Sequence, residues 1–170
     1  MISKKMRKAF NDQINAEIHS AYLYMSMVSY FKSLNLDGFA QWMTVQTQEE
    51  ISHGMKFFNF VLERGGKVLL QPIEGPATEW DSPLAAFEAA YKHEQYITKR
   101  IDDLIKLARA ENDTASEIML QWFVTEQVEE EANADGIVQK LKMMADAPGG
   151  VFMLDRELGA RAFTPPSTKQ

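Results

Sequence analysis

The chain has no cysteine. That absence excludes a disulfide framework, a thiolate zinc site and a thiol nucleophile, so any metal must be held by oxygen and imidazole ligands. No run reaches the roughly 18 uninterrupted apolar residues that a membrane span needs. The basic start, Met1 to Arg7, is followed by Lys8, Asn11, Asp12, Gln13, Asn15 and Glu17, which interrupt any apolar export signal. A cytoplasmic protein with no membrane partner is expected. Basic residues are outnumbered, 18 against 24 acidic ones, for a net charge of −6. This argues mildly against binding a phosphate backbone, so no nucleic-acid partner is expected, and it suits a chain that handles cations.

Glycine and proline are few and gather at Gly65-Gly66, from Pro72 to Pro83, at Pro148-Gly149-Gly150 and at Pro165-Pro166. The long segments between them carry 3.6-residue periodicity. Four helices are expected at about 4–33, 37–64, 82–111 and 114–145, with a short fifth near 150–160 and a loose tail over 164–170. Asp37 is expected to cap the second helix, Ser82 before Pro83 the third, and Thr114-Ala115-Ser116-Glu117 reads as a capping box for the fourth. At 170 residues and 45% hydrophobic, the chain fits one domain over 1–170.

Helices one and two, and three and four, are joined by very short links, so each pair is an antiparallel hairpin. Residues 65–81 contain two glycines at their start, then Pro72, Gly75 and Pro76, and cannot be helical. Extended at about 3.3 Å per residue, they are long enough to run the length of a helix. The fold class is therefore all-α: a four-helix bundle with one long crossover and a short fifth C-terminal helix.

Each helix has an apolar stripe with polar residues where Leu or Ile is expected. Ile14, Ala21, Val28 and Phe31 share a face with Glu17 and Tyr24; Met43, Gln46, Phe57 and Phe60 share one with Glu50 and His53. Glu94 lies between Phe87 and Ile101, and Gln127 and Glu130 lie among Leu120, Phe123, Ala134 and Leu141. A single Glu on such a stripe is commonly a boundary residue reaching water, and a lone His a satisfied core residue. Here four inward carboxylates meet one imidazole and no inward Lys or Arg, and buried carboxylates are costly unless paired or metal-bound.

Spacing tests whether these groups lie at one level. Glu17 and Glu50 are 33 residues apart, as are Glu94 and Gln127, and each pair straddles its turn. Moving Glu17, Glu50 and His53 along the chain by 77 residues gives Glu94, Gln127 and Glu130. Two matching clusters thus face each other. The ligand pattern of di-iron and di-manganese carboxylate bundles is one Glu from each of two helices and Glu-x-x-His from each of the others. Gln127-Val128-Glu129-Glu130 departs from it, with one imidazole fewer. Such an oxygen-rich site favours iron or manganese over copper and disfavours a permanent zinc site. Four carboxylates balance two Fe(II), and they stabilise the higher charge after oxidation. A di-iron ferroxidase centre is the expectation.

Glu17, Tyr24, Glu50-x-x-His53, Glu94 and Gln127-x-x-Glu130 resemble the ferritin family, specifically its bacterial non-heme members, over essentially the whole chain. The resemblance implies an iron-storage protein that oxidises Fe(II) with dioxygen or peroxide and deposits ferric mineral in a hollow homo-24-mer. It implies a first metal position at Glu17, Glu50 and His53, and a second at Glu50, Glu94 and Glu130 with Gln127 beside them. A third position would use Glu49, Glu126, Glu129 and Glu130; the bland alternative for these is a solvated acidic face. Tyr24 is implied as a hydrogen-bond or electron donor, although a core aromatic would look the same. Bacterioferritin places a heme-ligating Met after the second-helix Glu, where this chain has Ile51, so no heme is expected, though ten Met leave another ligand open. Val151 to Ala162 would line four-fold contacts, or fold back on their own bundle. The rival readings are a di-iron oxidase that does not store iron and a non-enzymatic helical interaction module.

Overall fold

The computed structural model describes residues 1–144, 147 and 149–165. Its elements are α1 (Lys4–Ser33), α2 (Asp37–Glu63), α3 (Pro83–Ala110), α4 (Thr114–Met143) and α5 (Gly150–Leu158), with no strand among the described residues. The expected bounds are met to within two or three residues. Position 145 of the expected fourth helix, Pro148 of the break and 166–170 of the expected tail lie outside the described residues. No helix among the described residues is long and apolar enough to cross a membrane.

The two tight turns are built alike. Asn35 N–H donates to Lys32 O and Leu36 N–H to Phe31 O; Asn112 N–H donates to Arg109 O and Asp113 N–H to Ala108 O. Each turn therefore closes with a Schellman pair, and the left-handed residue is an asparagine, at φ 57° for Asn35 and 53° for Asn112. These asparagines are also 77 residues apart, so the internal repeat extends from the polar layer to the turns.

The capping expectations meet mixed outcomes. Ser82 Oγ accepts from Ala85 N–H at 3.1 Å, as expected. For α4 the cap is Asp113, one residue earlier than expected: its carboxylate accepts from Ser116 N–H and Oγ and is held by Arg64 Nη1 at 3.0 Å. That ion pair fixes a stronger acceptor than the Thr114 hydroxyl. Asp37 is the first residue of α2 rather than its cap, and its side chain turns out to Lys32 Nζ at 2.6 Å. The α2 amides are met from the far end of the chain, where Asp155 Oδ1 accepts from Gly38 N–H at 2.8 Å and Phe39 N–H at 3.0 Å.

This contact fixes α5. Its Leu154 and Leu158 are buried with Phe39 and Trp42, so α5 packs on its own bundle at the α1–α2 turn. A Cβ on Gly38 would lie 1.6 Å from the Asp155 carbonyl oxygen, a backbone atom with no room to yield. Gly38→Ala is therefore expected to push α5 off its seat at a cost of about 1–3 kcal/mol. Thermal unfolding together with protease cleavage near residue 150 checks it; an unchanged midpoint and an uncut α5 would show that the approach is not required.

The crossover runs along α1 as the proline-broken sequence requires. Leu69 N–H donates to Asn11 Oδ1 at 2.6 Å, Asn15 Nδ2 donates to the Pro72 carbonyl at 3.2 Å, and Ser26 Oγ donates to Ala77 O at 2.7 Å. Trp80 then meets Tyr30 edge-on near the C-terminal end of α1. Two apolar clusters form the core. One gathers Phe31, Phe39, Phe87 and Leu141, and the other Met6, Phe10, Phe57, Leu120 and Phe123. Val28 and Phe60, expected on the inward stripes, are only half-buried, with Met27 and Phe57 taking the deep positions. Between the two clusters lies a layer of polar side chains.

Candidate metal centre

All four long helices reach this layer at mid-length. Glu17 comes from α1, Glu50 and His53 from α2, Glu94 from α3, and Gln127 and Glu130 from α4; none is more than 4% exposed. One ligand atom from each of Glu17, Glu50 and His53 falls within 4.8 Å of the others, and so does one from each of His53, Glu126 and Glu130. His53 thus stands between two acidic groups rather than serving the first alone. Its Nδ1 is 3.8 Å from Glu50 Oε2.

Among the described residues, two buried carboxylate oxygens, Glu17 Oε2 and Glu50 Oε2, have no hydrogen-bond partner. An orphaned buried carboxylate oxygen costs free energy unless a cation or proton meets it. Burial, reinforced by the Glu50 charge, pushes the Glu17 carboxyl up to about 8. Burial and the charge of Glu94 raise Glu130 to about 8. Glu94 rises to about 7 by burial, held back by hydrogen bonds from Tyr24 and Gln127. Burial and the neighbouring Glu94 and Glu130 charges hold Glu50 well above the usual carboxylate range. Counted over its own side chains, the layer is short of positive charge.

Glu94 is tied at both oxygens. The Tyr24 hydroxyl donates to Oε1, and the Gln127 amide donates to Oε2 at 3.2 Å. Glu94 belongs to neither ligand trio, so the expected second grouping of Glu50, Glu94 and Glu130 is not assembled as such. Of the outer residues, Glu126 is half-buried and joins His53 and Glu130, Glu129 is exposed, and Glu49 is paired with Arg161 Nη2 at 2.5 Å. They line a cleft of about 540 Å³ beside His53.

Two glutamines brace the carboxylates. Gln13 Nε2 donates to Glu17 Oε1 at 2.7 Å, while Arg100 Nε donates to Gln13 Oε1 at 2.8 Å. Gln46 Nε2 donates to Glu130 Oε2 at 2.7 Å and Glu50 Oε1 at 3.3 Å, while Arg161 Nη1 donates to Gln46 Oε1 at 2.9 Å. Since a guanidinium can only donate, each arginine fixes its glutamine with the NH₂ toward the acids. The sequence reading missed Gln13, Arg100 and Arg161 and took Gln46 as a stripe residue. A signal existed for the glutamines, because each sits four residues before a layer Glu. None existed for Arg161, which lies beyond α5 in a segment without periodicity.

The sequence profile of the family described as Ferritin-like domain matches residues 7–144. The chain is 44% identical to a bacterial non-heme ferritin of Bacteroides fragilis (strain 638R) over 95% of its length and 100% of the relative's. It is 34% identical to one from Staphylococcus aureus (strain USA300), covering 96% of this chain and 98% of that one. Among solved structures, the Archaeoglobus fulgidus open pore ferritin superposes with a TM-score of 0.94 at 56% identity, covering 95% of this chain and all of that chain. An engineered closed form of the same archaeal ferritin gives 0.95 at 56%, covering 96% and 100%.

Proposed function

This chain belongs to the ferritin family, and from that premise we propose that the polar layer is a ferroxidase centre whose substrate is Fe(II) and whose product is stored as ferric mineral. The observation that carries the reading is the pair of partnerless buried oxygens, Glu17 Oε2 and Glu50 Oε2, facing His53 in a layer supplied by four helices. Glu17, Glu50 and His53 hold the first iron. Glu50 bridges to a second, which Glu130 and Glu94 complete once Glu94 turns from Tyr24 or Gln127. Glu49, Glu126, Glu129 and Glu130 take a third.

Four carboxylates neutralise two Fe(II) ions, so the loaded layer carries little net charge. Two Fe(II) give up one electron each, reducing dioxygen to the peroxide level, and the two negative charges gained by oxygen offset the two added to the metals. Tyr24 and Gln127 keep Glu94 oriented between turnovers. Gln13 and Gln46 do the same for Glu17, Glu50 and Glu130.

Storage requires an enclosure, and we infer a shell of twenty-four copies built in the cytoplasm from the whole chain as a single domain. Support comes from apolar surface left open on one copy: Leu69 and Leu70 beside a cleft formed by Ile18, Met55 and Phe58, and Phe152 and Met153 on the outer side of α5. Aerobic Fe(II) titration of metal-free protein, with light scattering for particle mass, tests both parts. A large particle that oxidises two to three irons per chain quickly and then retains many more is the expected result. A small particle that stops at two would make the protein a di-iron oxidase instead.

A further inference from the structure

We propose that Arg161 is a built-in competitor for the outermost metal position: its guanidinium, delivered by the segment after α5, occupies Glu49 and locks the Gln46 amide until a cation displaces it. The inference rests on the functional reading above.

Arg161 is held on several sides. Nη2 meets Glu49 Oε2 at 2.5 Å, Nη1 donates to Gln46 Oε1 at 2.9 Å and to the Trp42 carbonyl at 3.3 Å, and the guanidinium lies 4.3 Å over the Trp42 ring. The Arg161 carbonyl accepts from Gln41 Nε2 at 3.1 Å, so backbone and side chain are both seated. Glu49, Glu126 and Glu129 line the same cleft as Arg161. A divalent ion drawn to Glu49 there meets the fixed positive charge of the guanidinium on the same carboxylate, so filling the position is disfavoured until Arg161 moves away. A guanidinium does not lose its proton in a protein, so it yields only by moving.

Movement has a second consequence. With Arg161 gone, nothing compels the Gln46 oxygen to face outward, and the amide is free to release Glu50 and Glu130. Filling the outer position thereby loosens the metal-free hold on the inner carboxylates, and by linkage the inner irons favour the outer one in return.

Anaerobic calorimetric titration with Fe(II) alone tests this on the assembled protein. The third binding step of Arg161→Gln is expected to be about tenfold tighter than in the unaltered protein. Arg161→Lys, which keeps a cation beside Glu49, should return it toward the original value. A merely structural arginine would leave the third step unchanged or weaker in both variants, and either result overturns the proposal. Hydrogen exchange of the 159–164 amides in the unaltered protein gives a readout that needs no variant: exchange should quicken after the third equivalent, and no change also overturns it. If two tight steps persist while Arg161→Gln has no effect, the competitor fails and the metal centre stands. Absence of any tight step in the unaltered protein removes both.

Discussion

Replacing Glu50 with Gln is expected to slow the fast phase of Fe(II) oxidation by more than about 100-fold and, at the same time, to raise the unfolding midpoint of the metal-free protein. The loss follows from position. Glu50 sits in the first ligand trio with an unpartnered oxygen, and its other oxygen faces Gln46, which also holds Glu130. Changing outer partners of a metal ligand alone commonly costs about 10–100-fold, so losing the carboxylate that the proposed centre shares between two irons is expected to exceed that. The gain follows from the same burial. Glu50 is a buried acid among acids, and a neutral amide of the same shape removes repulsion with Glu94 and Glu130 while offering an N–H to the orphaned Glu17 oxygen. A gain of a few kcal/mol in a chain of this size corresponds to a rise of roughly 5–10 °C. Stopped-flow oxidation and calorimetry on the same sample check both signs. An unchanged fast phase would remove this layer as the reaction site, and a lowered midpoint would mean that the Glu50 charge is already compensated before metal arrives.

Between pH 8 and pH 6 the affinity for the first two Fe(II) ions should fall by about a hundredfold or more, with proton release on binding near neutral pH. Carboxyls at about 8 for Glu17 and Glu130 and about 7 for Glu94 are largely protonated at pH 6, and a ligand must lose its proton to bind. One proton displaced with each ion over two pH units sets that scale for each of the two ions. Stability of the metal-free protein should run the other way. A carboxyl raised from 4.5 to about 8 on folding, as Glu17 is, leaves stability intact below 4.5 and withdraws it as pH rises toward 8, roughly 3 kcal/mol at pH 7. Heating curves of chelated and loaded protein across this range measure both trends, and titrations in buffers of different ionisation heat count the protons. A pH-independent affinity would mean that these acids are already ionised without metal.

Much of the fold was legible because helix periodicity leaves few places for polar residues. Glu17, Glu50, His53, Glu94, Gln127 and Glu130 all stood on apolar stripes, and the 33- and 77-residue offsets put them at one level before any coordinates. The recurrence of Asn35 and Asn112 in the turns belongs to the same pattern. Sequence periodicity failed where partners come from outside a helix. Asp37 looked like the cap of α2 because capping is read from neighbours, yet the acceptor is Asp155. Arg161 carried no signal because an irregular segment has no face to read. The ties of Glu94 to Tyr24 and Gln127 were hidden for another reason: spacing gives the level of a side chain and not which oxygen is already engaged.

The contact between Asp155 and the first turn of α2 also bears on the order in which the molecule comes into being. The α1–α2 hairpin is complete in covalent terms once Glu63 has left the ribosome, and its turn can close at once through Asn35. Its second helix nevertheless starts on the unmet amides of Gly38 and Phe39 until Asp155 emerges. A nascent chain therefore carries a frayed seam at one end until residue 155 has been made, and α5 then seals the first hairpin. Maturation of one end of the bundle is in this way timed by the synthesis of α5, so a chain stopped short of it lacks both the seal and the exposed apolar residues Phe152 and Met153.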